Sequence, residues 1–148
     1  MSSPTQRSKA KLQREGYTVA ITERWNSFTR TRQDLFGFID LIALRGNETL
    51  AVQTTSGSNV SARIDKIKSL QSARVWLESN SRRIVVHGWR KVGARGKRKL
   101  WDCREEWILT ETESRFRLLA QKEAVSTITE KESIELDMLT LKRREPTP

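Results

Sequence analysis

The feature that most constrains this chain is the run LFGFIDLIAL, residues 35–44, which is apolar on both alternating faces and interrupted only by Asp40. A strand with one wet side alternates apolar and polar residues. A run apolar on both sides predicts a central strand buried on both faces, and hence a sheet covered by a layer on each side. The turn Arg45-Gly46-Asn47-Glu48 carries a Gly-Asn hairpin signal, and TLAVQTT, residues 49–55, resumes a strand at once. If the hairpin closes on Gly46 and Asn47, residue 45 faces 48, 44 faces 49, and Asp40 faces Gln53. Opposed side chains point to one face with Cβ atoms about 4.5 to 5.5 Å apart, so a carboxylate and an amide oxygen converge there, with Thr55 on the same face.

The flanking segments complete a layered domain. TQRSKAKLQRE predicts a helix over residues 5–15 that stops at Gly16, and YTVAITERW, residues 17–25, mixes β-branched and aromatic residues as a strand does. NSFTRTRQD, residues 26–34, is polar and reads as a loop. After the breaker SGSN, Val60, Ile64, Ile67, Leu70, Ala73 and Leu77 recur at helical spacing, predicting a single helix over 60–79 with Arg63, Lys66 and Arg74 on its other face. RRIVVHGW and LWDCREEWIL read as two further strands joined by the glycine-containing turn KVGARGKRK. The expected order is α-β-β-β-α-β-β in residues 1–110, an α/β core with a central mixed sheet flanked by helices. Residues 111–148 form a C-terminal extension, helical or strand-forming, that ends in the frayed tail KRREPTP.

Charge narrows the partners. The chain has 28 Lys and Arg against 18 Asp and Glu, a formal charge of +10. Residues 111–148 carry a net −1, so the basic charge belongs to the core, which favours a polyanionic partner such as nucleic acid. Arg30 and Arg32 in the first loop, and Arg90, Lys91, Arg95, Lys97, Arg98 and Lys99 around the later turn, are the phosphate-contacting candidates. One cysteine, Cys103, and one histidine, His87, exclude an intramolecular disulfide and a zinc site of the usual Cys/His kind, and fit a reducing compartment. No apolar run is long enough to span a bilayer, no apolar signal stretch opens the chain, and no wide apolar helix face suggests membrane binding. His87 at a strand end reads as a structural residue. Trp25, Trp76, Trp89, Trp101 and Trp107 read mainly as packing residues, with Trp25 and Trp89 at strand ends the ones closest to a binding role.

Asp40 inside a doubly apolar strand faces a desolvation cost of several kcal/mol unless it is paired or binds a cation. Asp40 and Gln53 with the backbone carbonyl of Thr54, water filling the rest, suit a hard cation such as Mg²⁺. A structural carboxylate hydrogen-bonded to Gln53 fits the same residues equally well.

The order helix, strand, Asp-bearing strand, turn, strand, helix resembles the PD-(D/E)xK nuclease superfamily, with the restriction-endonuclease-like fold, and in particular its small Holliday-junction-resolvase-like and phage-encoded members. Ile39-Asp40 stands where Pro-Asp usually stands, and Gln53-Thr54-Thr55 where Glu-x-Lys usually stands; the resemblance covers about residues 5–90. It implies a Mg²⁺- or Mn²⁺-dependent endonuclease acting on DNA, branched DNA included, in the cytoplasm of a prokaryotic or phage-infected cell, with a homodimer favoured by analogy. Gln53 keeps an oxygen donor but drops one charge, and Thr55 replaces the family lysine. Lys66, or Arg63 one turn before it, is the expected substitute for that lysine. The helix-one Glu of many members is missing; Gln6 lies nearest its place, and Asp34 is the expected replacement carboxylate. The rival reading is a catalytically inactive DNA-binding protein that keeps the nuclease fold. An RNA-binding module would need an aromatic cluster on a sheet face, which the alternating patterns lack.

Overall fold

The computed structural model describes residues 2–144, which divide at Ile108/Leu109 into two compact units. In the first, helix α1 (Pro4–Arg14) starts where Ser3 accepts the Gln6 N–H at 3.2 Å with proline in the first turn, and the chain leaves it through Gly16 at φ 93°. Five strands, β1 (Thr18–Ile21), β4 (Leu41–Arg45), β5 (Glu48–Ser56), β6 (Arg82–Val92) and β7 (Leu100–Ile108), form one sheet in the order β1-β4-β5-β6-β7. Only β5 and β6 pair in parallel, so the sheet is mixed. Strands β2 (Arg24–Asn26) and β3 (Thr31–Gln33) form a separate antiparallel hairpin.

The sheet is buried on both faces. Leu12 of α1 packs with Tyr17, Leu41, Ala43, Leu50, Val52 and Val85 on one side. On the other, Val60, Ile67 and Ala73 pack with Ile39, Ala51, Ile84 and Val86. Alternate residues of β5 and β6 therefore serve opposite cores, as the period of two requires. The unit is an α/β domain with a mixed five-stranded sheet flanked by helices.

Five local expectations need correction. The run 35–44 is not one strand: only Leu41–Arg45 extends, while Leu35 and Ile39 exchange backbone hydrogen bonds at 3.0 Å around Phe36 (φ 54°) and Gly37 (φ 83°). That turn is apolar because Phe38 and Ile39 are tucked under the sheet, and the doubly buried middle strand is β5. The segment 17–25 breaks at Thr22 and Glu23, and the supposed loop 26–34 holds β3. The long helix breaks at Leu70 (ψ 131°) into α2 (Val60–Ser69) and α3 (Gln71–Trp76). Ser69 donates its hydroxyl to the Lys66 carbonyl at 2.6 Å, a local bond that competes with the helix ladder. Finally, Arg90 and Lys91 lie on β6, which runs on to Val92, and not on the turn.

The second unit is a helix pair, α4 (Glu111–Ala124) and α5 (Glu130–Arg144), so the extension is helical. Arg115 donates to both carboxylate oxygens of Glu135 at 2.9 and 3.0 Å, and Leu119 and Leu136 are buried. Of the tail KRREPTP, Lys142 to Arg144 close α5 and the rest lies outside the described residues. No helix among the described residues is long and apolar enough to cross a membrane.

Candidate metal centre

Asp40 sits one residue before β4, where the ladder still holds its backbone. Its N–H donates to the Val52 carbonyl at 2.9 Å, and its carbonyl accepts from the N–H groups of Thr22 (2.9 Å) and Glu23 (3.3 Å). The strand register 44–49 and 45–48 continues to 41–52, which sets Asp40 beside Gln53. Asp40 Oδ2 accepts from Gln53 Nε2 at 2.7 Å, from the Thr54 N–H at 2.8 Å and from Thr54 Oγ1 at 3.1 Å.

Two nested closures bring further carboxylates to this point. The β2–β3 hairpin pairs Arg24 with Gln33, so the residues outside that pair, Glu23 and Asp34, meet at its base. The Leu35–Ile39 bridge then returns the chain from Asp34 to Asp40. One carboxylate oxygen from each of Glu23, Asp34 and Asp40 lies within 4.8 Å of the others. Thr5 of α1 reaches the same group: its hydroxyl lies 3.0 Å from Glu23 Oε1 and 3.0 Å from Thr54 Oγ1.

Three carboxylates so close, one of them buried, repel one another, and a proton or a cation relieves that repulsion. The Glu23–Arg32 pair at 3.2 Å has its arginine largely in solvent, and among the described residues neither Asp34 nor Asp40 forms an ion pair. Burial first, then the neighbouring Asp34 and Glu23, push the Asp40 carboxyl up to about 8, against the opposing Thr54 N–H. Without a cation the cluster therefore keeps a proton near neutral pH. Gln53 is 2% exposed, and its Oε1 is buried without a partner among the described residues. Three converging carboxylate oxygens, next to a buried amide whose own oxygen has no partner among the described residues, make an all-oxygen donor set that fits a hard divalent cation.

The structure thus brings together Asp40, Gln53, Thr54 and Asp34. Thr55 is buried beside Gly88 on β6. Lys66 is exposed and Arg63 half-buried on α2, and among the described residues neither pairs with an acidic residue within ion-pair distance. Gln6 is exposed; Thr5, next to it, is the α1 residue that faces the cluster. Sequence reasoning missed Glu23 and Thr5. The available signal for Glu23 was its place as a polar break in an otherwise strand-like segment.

Of the basic candidates, Arg30 occupies the hairpin turn with φ 52° and Arg32 lies on β3. Arg90 lies 3.7 Å from Asp102, and Lys91 lies over the Trp101 ring at 5.2 Å from its centroid. Arg95, Lys97, Arg98 and Lys99 are exposed between β6 and β7, Lys99 donating to the Gly93 carbonyl at 2.8 Å.

His87 is buried on the α1 side of β6, with Nδ1 3.0 Å from Ser8 Oγ, which also accepts the Trp89 indole N–H at 2.9 Å. Burial lowers its pKa to about 4, against the pull of Glu105. His87, Cys103 and Glu105 form a second close group, but Glu105 already pairs with Lys11 at 2.9 Å and burial pushes the Cys103 thiol up to about 12. These features describe a neutral, packed imidazole.

A scan of protein-family models, of the curated proteins and of the solved structures gives no match to this chain.

Proposed function

We propose that the chain is a metal-dependent DNA endonuclease of the PD-(D/E)xK superfamily, hydrolysing phosphodiester bonds at the Asp40 cluster. The observation that carries this reading is the convergence of one carboxylate oxygen each from Glu23, Asp34 and Asp40 within 4.8 Å, with no ion pair to Asp34 or Asp40 among the described residues. The element order α1, β1, β4, β5, α2, β6, with the Asp-bearing position next to Gln53 on antiparallel neighbours, supports it as well.

Asp40, Asp34, Glu23 and Gln53 Oε1 would hold Mg²⁺ or Mn²⁺. When bound, such an ion polarises a phosphoryl oxygen and lowers the pKa of a bound water. The chain's own residues do the positioning. Thr54 fixes Asp40 Oδ2 through its N–H and hydroxyl, and Thr5 fixes Glu23. Lys66, or Arg63 in its place, is assigned to the negative charge that develops at phosphorus. The basic β6–β7 connection and the hairpin arginines hold the DNA backbone.

The second reading, a DNA-binding protein without catalysis, has its own support: three hydrogen bonds already satisfy Asp40 Oδ2 without a cation. Duplex, nicked and four-way-junction DNA incubated with Mg²⁺ or Mn²⁺ separates the two. The nuclease reading expects cleavage that EDTA stops and Asp40→Ala abolishes while binding persists. Full activity in Asp40→Ala, or binding with no cleavage under any of these conditions, defeats it.

A further inference from the structure

The β2–β3 hairpin buries almost nothing. Phe28 at its tip is 98% exposed and Trp25 on β2 is 62% exposed. The tip is nevertheless tied by local hydrogen bonds: Asn26 Oδ1 accepts the N–H groups of Phe28 (3.0 Å) and Thr29 (3.3 Å), and the Thr29 and Thr31 hydroxyls lie 2.7 Å apart. A phenylalanine held out in water by a built turn contributes nothing to a core. Its ten-residue surroundings, Arg24 to Gln33, contain Arg24, Arg30 and Arg32 and no acidic residue. Its base is pinned at the carboxylate cluster, since Glu23 and Asp34 are the residues that immediately precede and follow it.

We propose that this hairpin is a wedge that binds DNA by inserting Phe28 against an unstacked base while its arginines hold the adjoining phosphates. Nucleic acid is the partner that offers both an anionic backbone and flat apolar faces, and apolar side chains inserted at a base step are a known way to open it. An anionic bilayer needs a wide apolar face, which a tip with a single phenylalanine does not provide. Five residues of strand and turn reach about 15 Å, so the opened base lies within about four base steps of the cluster. The preferred substrate is therefore DNA whose bases are already easy to unstack, at a junction or nick. The inference rests on the proposed function for DNA as the partner, but not for cleavage.

The test runs in EDTA, so that cleavage plays no part. Wild-type protein is titrated onto duplex and four-way-junction DNA carrying 2-aminopurine at successive positions, and onto vesicles of phosphatidylcholine with about a third phosphatidylserine. Wild type should brighten the probe near the junction. Phe28→Ala should weaken junction binding about five- to hundredfold, the scale of one lost stacking contact, and lose the brightening with the salt dependence unchanged. Phe28→Tyr should restore both. Since the side chain is solvent-exposed, none of these changes threatens the fold. Undiminished affinity and brightening in Phe28→Ala overturn the wedge, as does a Phe28→Ala defect on vesicles with none on DNA. Brightening without cleavage when either Mg²⁺ or Mn²⁺ is supplied overturns the nuclease reading and leaves the wedge standing.

Discussion

Gln53 donates its amide to Asp40 Oδ2 at 2.7 Å, while its own Oε1 stays buried and unpartnered among the described residues. One side chain thus satisfies the carboxylate through its nitrogen while its oxygen has no partner of its own among the described residues. Gln53→Glu should separate the roles of the two atoms. In EDTA it removes the amide donor to Asp40 Oδ2 and adds a fourth acidic group to a cluster that holds one proton, and should destabilise the protein by about 1 to 3 kcal/mol. In millimolar Mg²⁺ the added charge should tighten binding and recover that loss. Thermal melts with and without Mg²⁺ decide it, and equal melting in both conditions would argue against a cation site.

The Asp40 carboxyl, at about 8, keeps its proton in the folded chain at pH values where the unfolded chain, at about 3.9, has lost it. More protons bound to the native state mean that stability falls as pH rises from about 4 to about 8. His87, lowered to about 4, works in the opposite sense, its contribution present above about 6.5 and lost as pH falls toward 4. The interval between about 6.5 and 8 therefore isolates Asp40. Urea denaturation across it should show wild type losing stability with rising pH and Asp40→Asn losing less. A wild-type slope matching that of Asp40→Asn would remove the shared-proton account.

Lys66 is exposed on α2 and is assigned to the developing charge at phosphorus. Lys66→Ala should slow cleavage by about 10² or more with binding changed less than tenfold. Lys66→Arg should recover part of the rate, because it restores the charge but not a titratable amine. Wild-type rates in Lys66→Ala would move the role to Arg63.

Affinity for DNA should fall steeply with salt, each phosphate contact adding about 0.9 to the log–log slope. Neutralising Lys97, Arg98 and Lys99 together should flatten that slope by roughly two to three. An unchanged slope would make the β6–β7 connection a merely solvated loop.

Much of the architecture was legible in the chain. The Gly46-Asn47 turn sets the register of β4 against β5, because a two-residue hairpin leaves one way for the alternation to match, and that register placed Gln53 beside Asp40. The apolar stripe from Val60 to Leu77 marked the helical layer that packs on the sheet, since a period near 3.6 has no other use at that length. The local pattern misled where apolar residues are buried without being extended. Phe38 and Ile39 look like strand and are a buried turn, because burial alone does not distinguish the two.

Only the tertiary structure decided which carboxylates meet. Glu23 and Asp34 stand eleven positions apart and reach Asp40 because the hairpin and the Leu35–Ile39 bridge close the chain between them. Thr5 joins from a helix that packs across the sheet. Such convergence is set by backbone hydrogen bonds between distant residues, and residue spacing in the sequence carries no record of them. The sequence by itself determined a basic α/β domain with Asp40 and Gln53 side by side. The fold determined that three acids, two threonine hydroxyls and the Gln53 amide share that place.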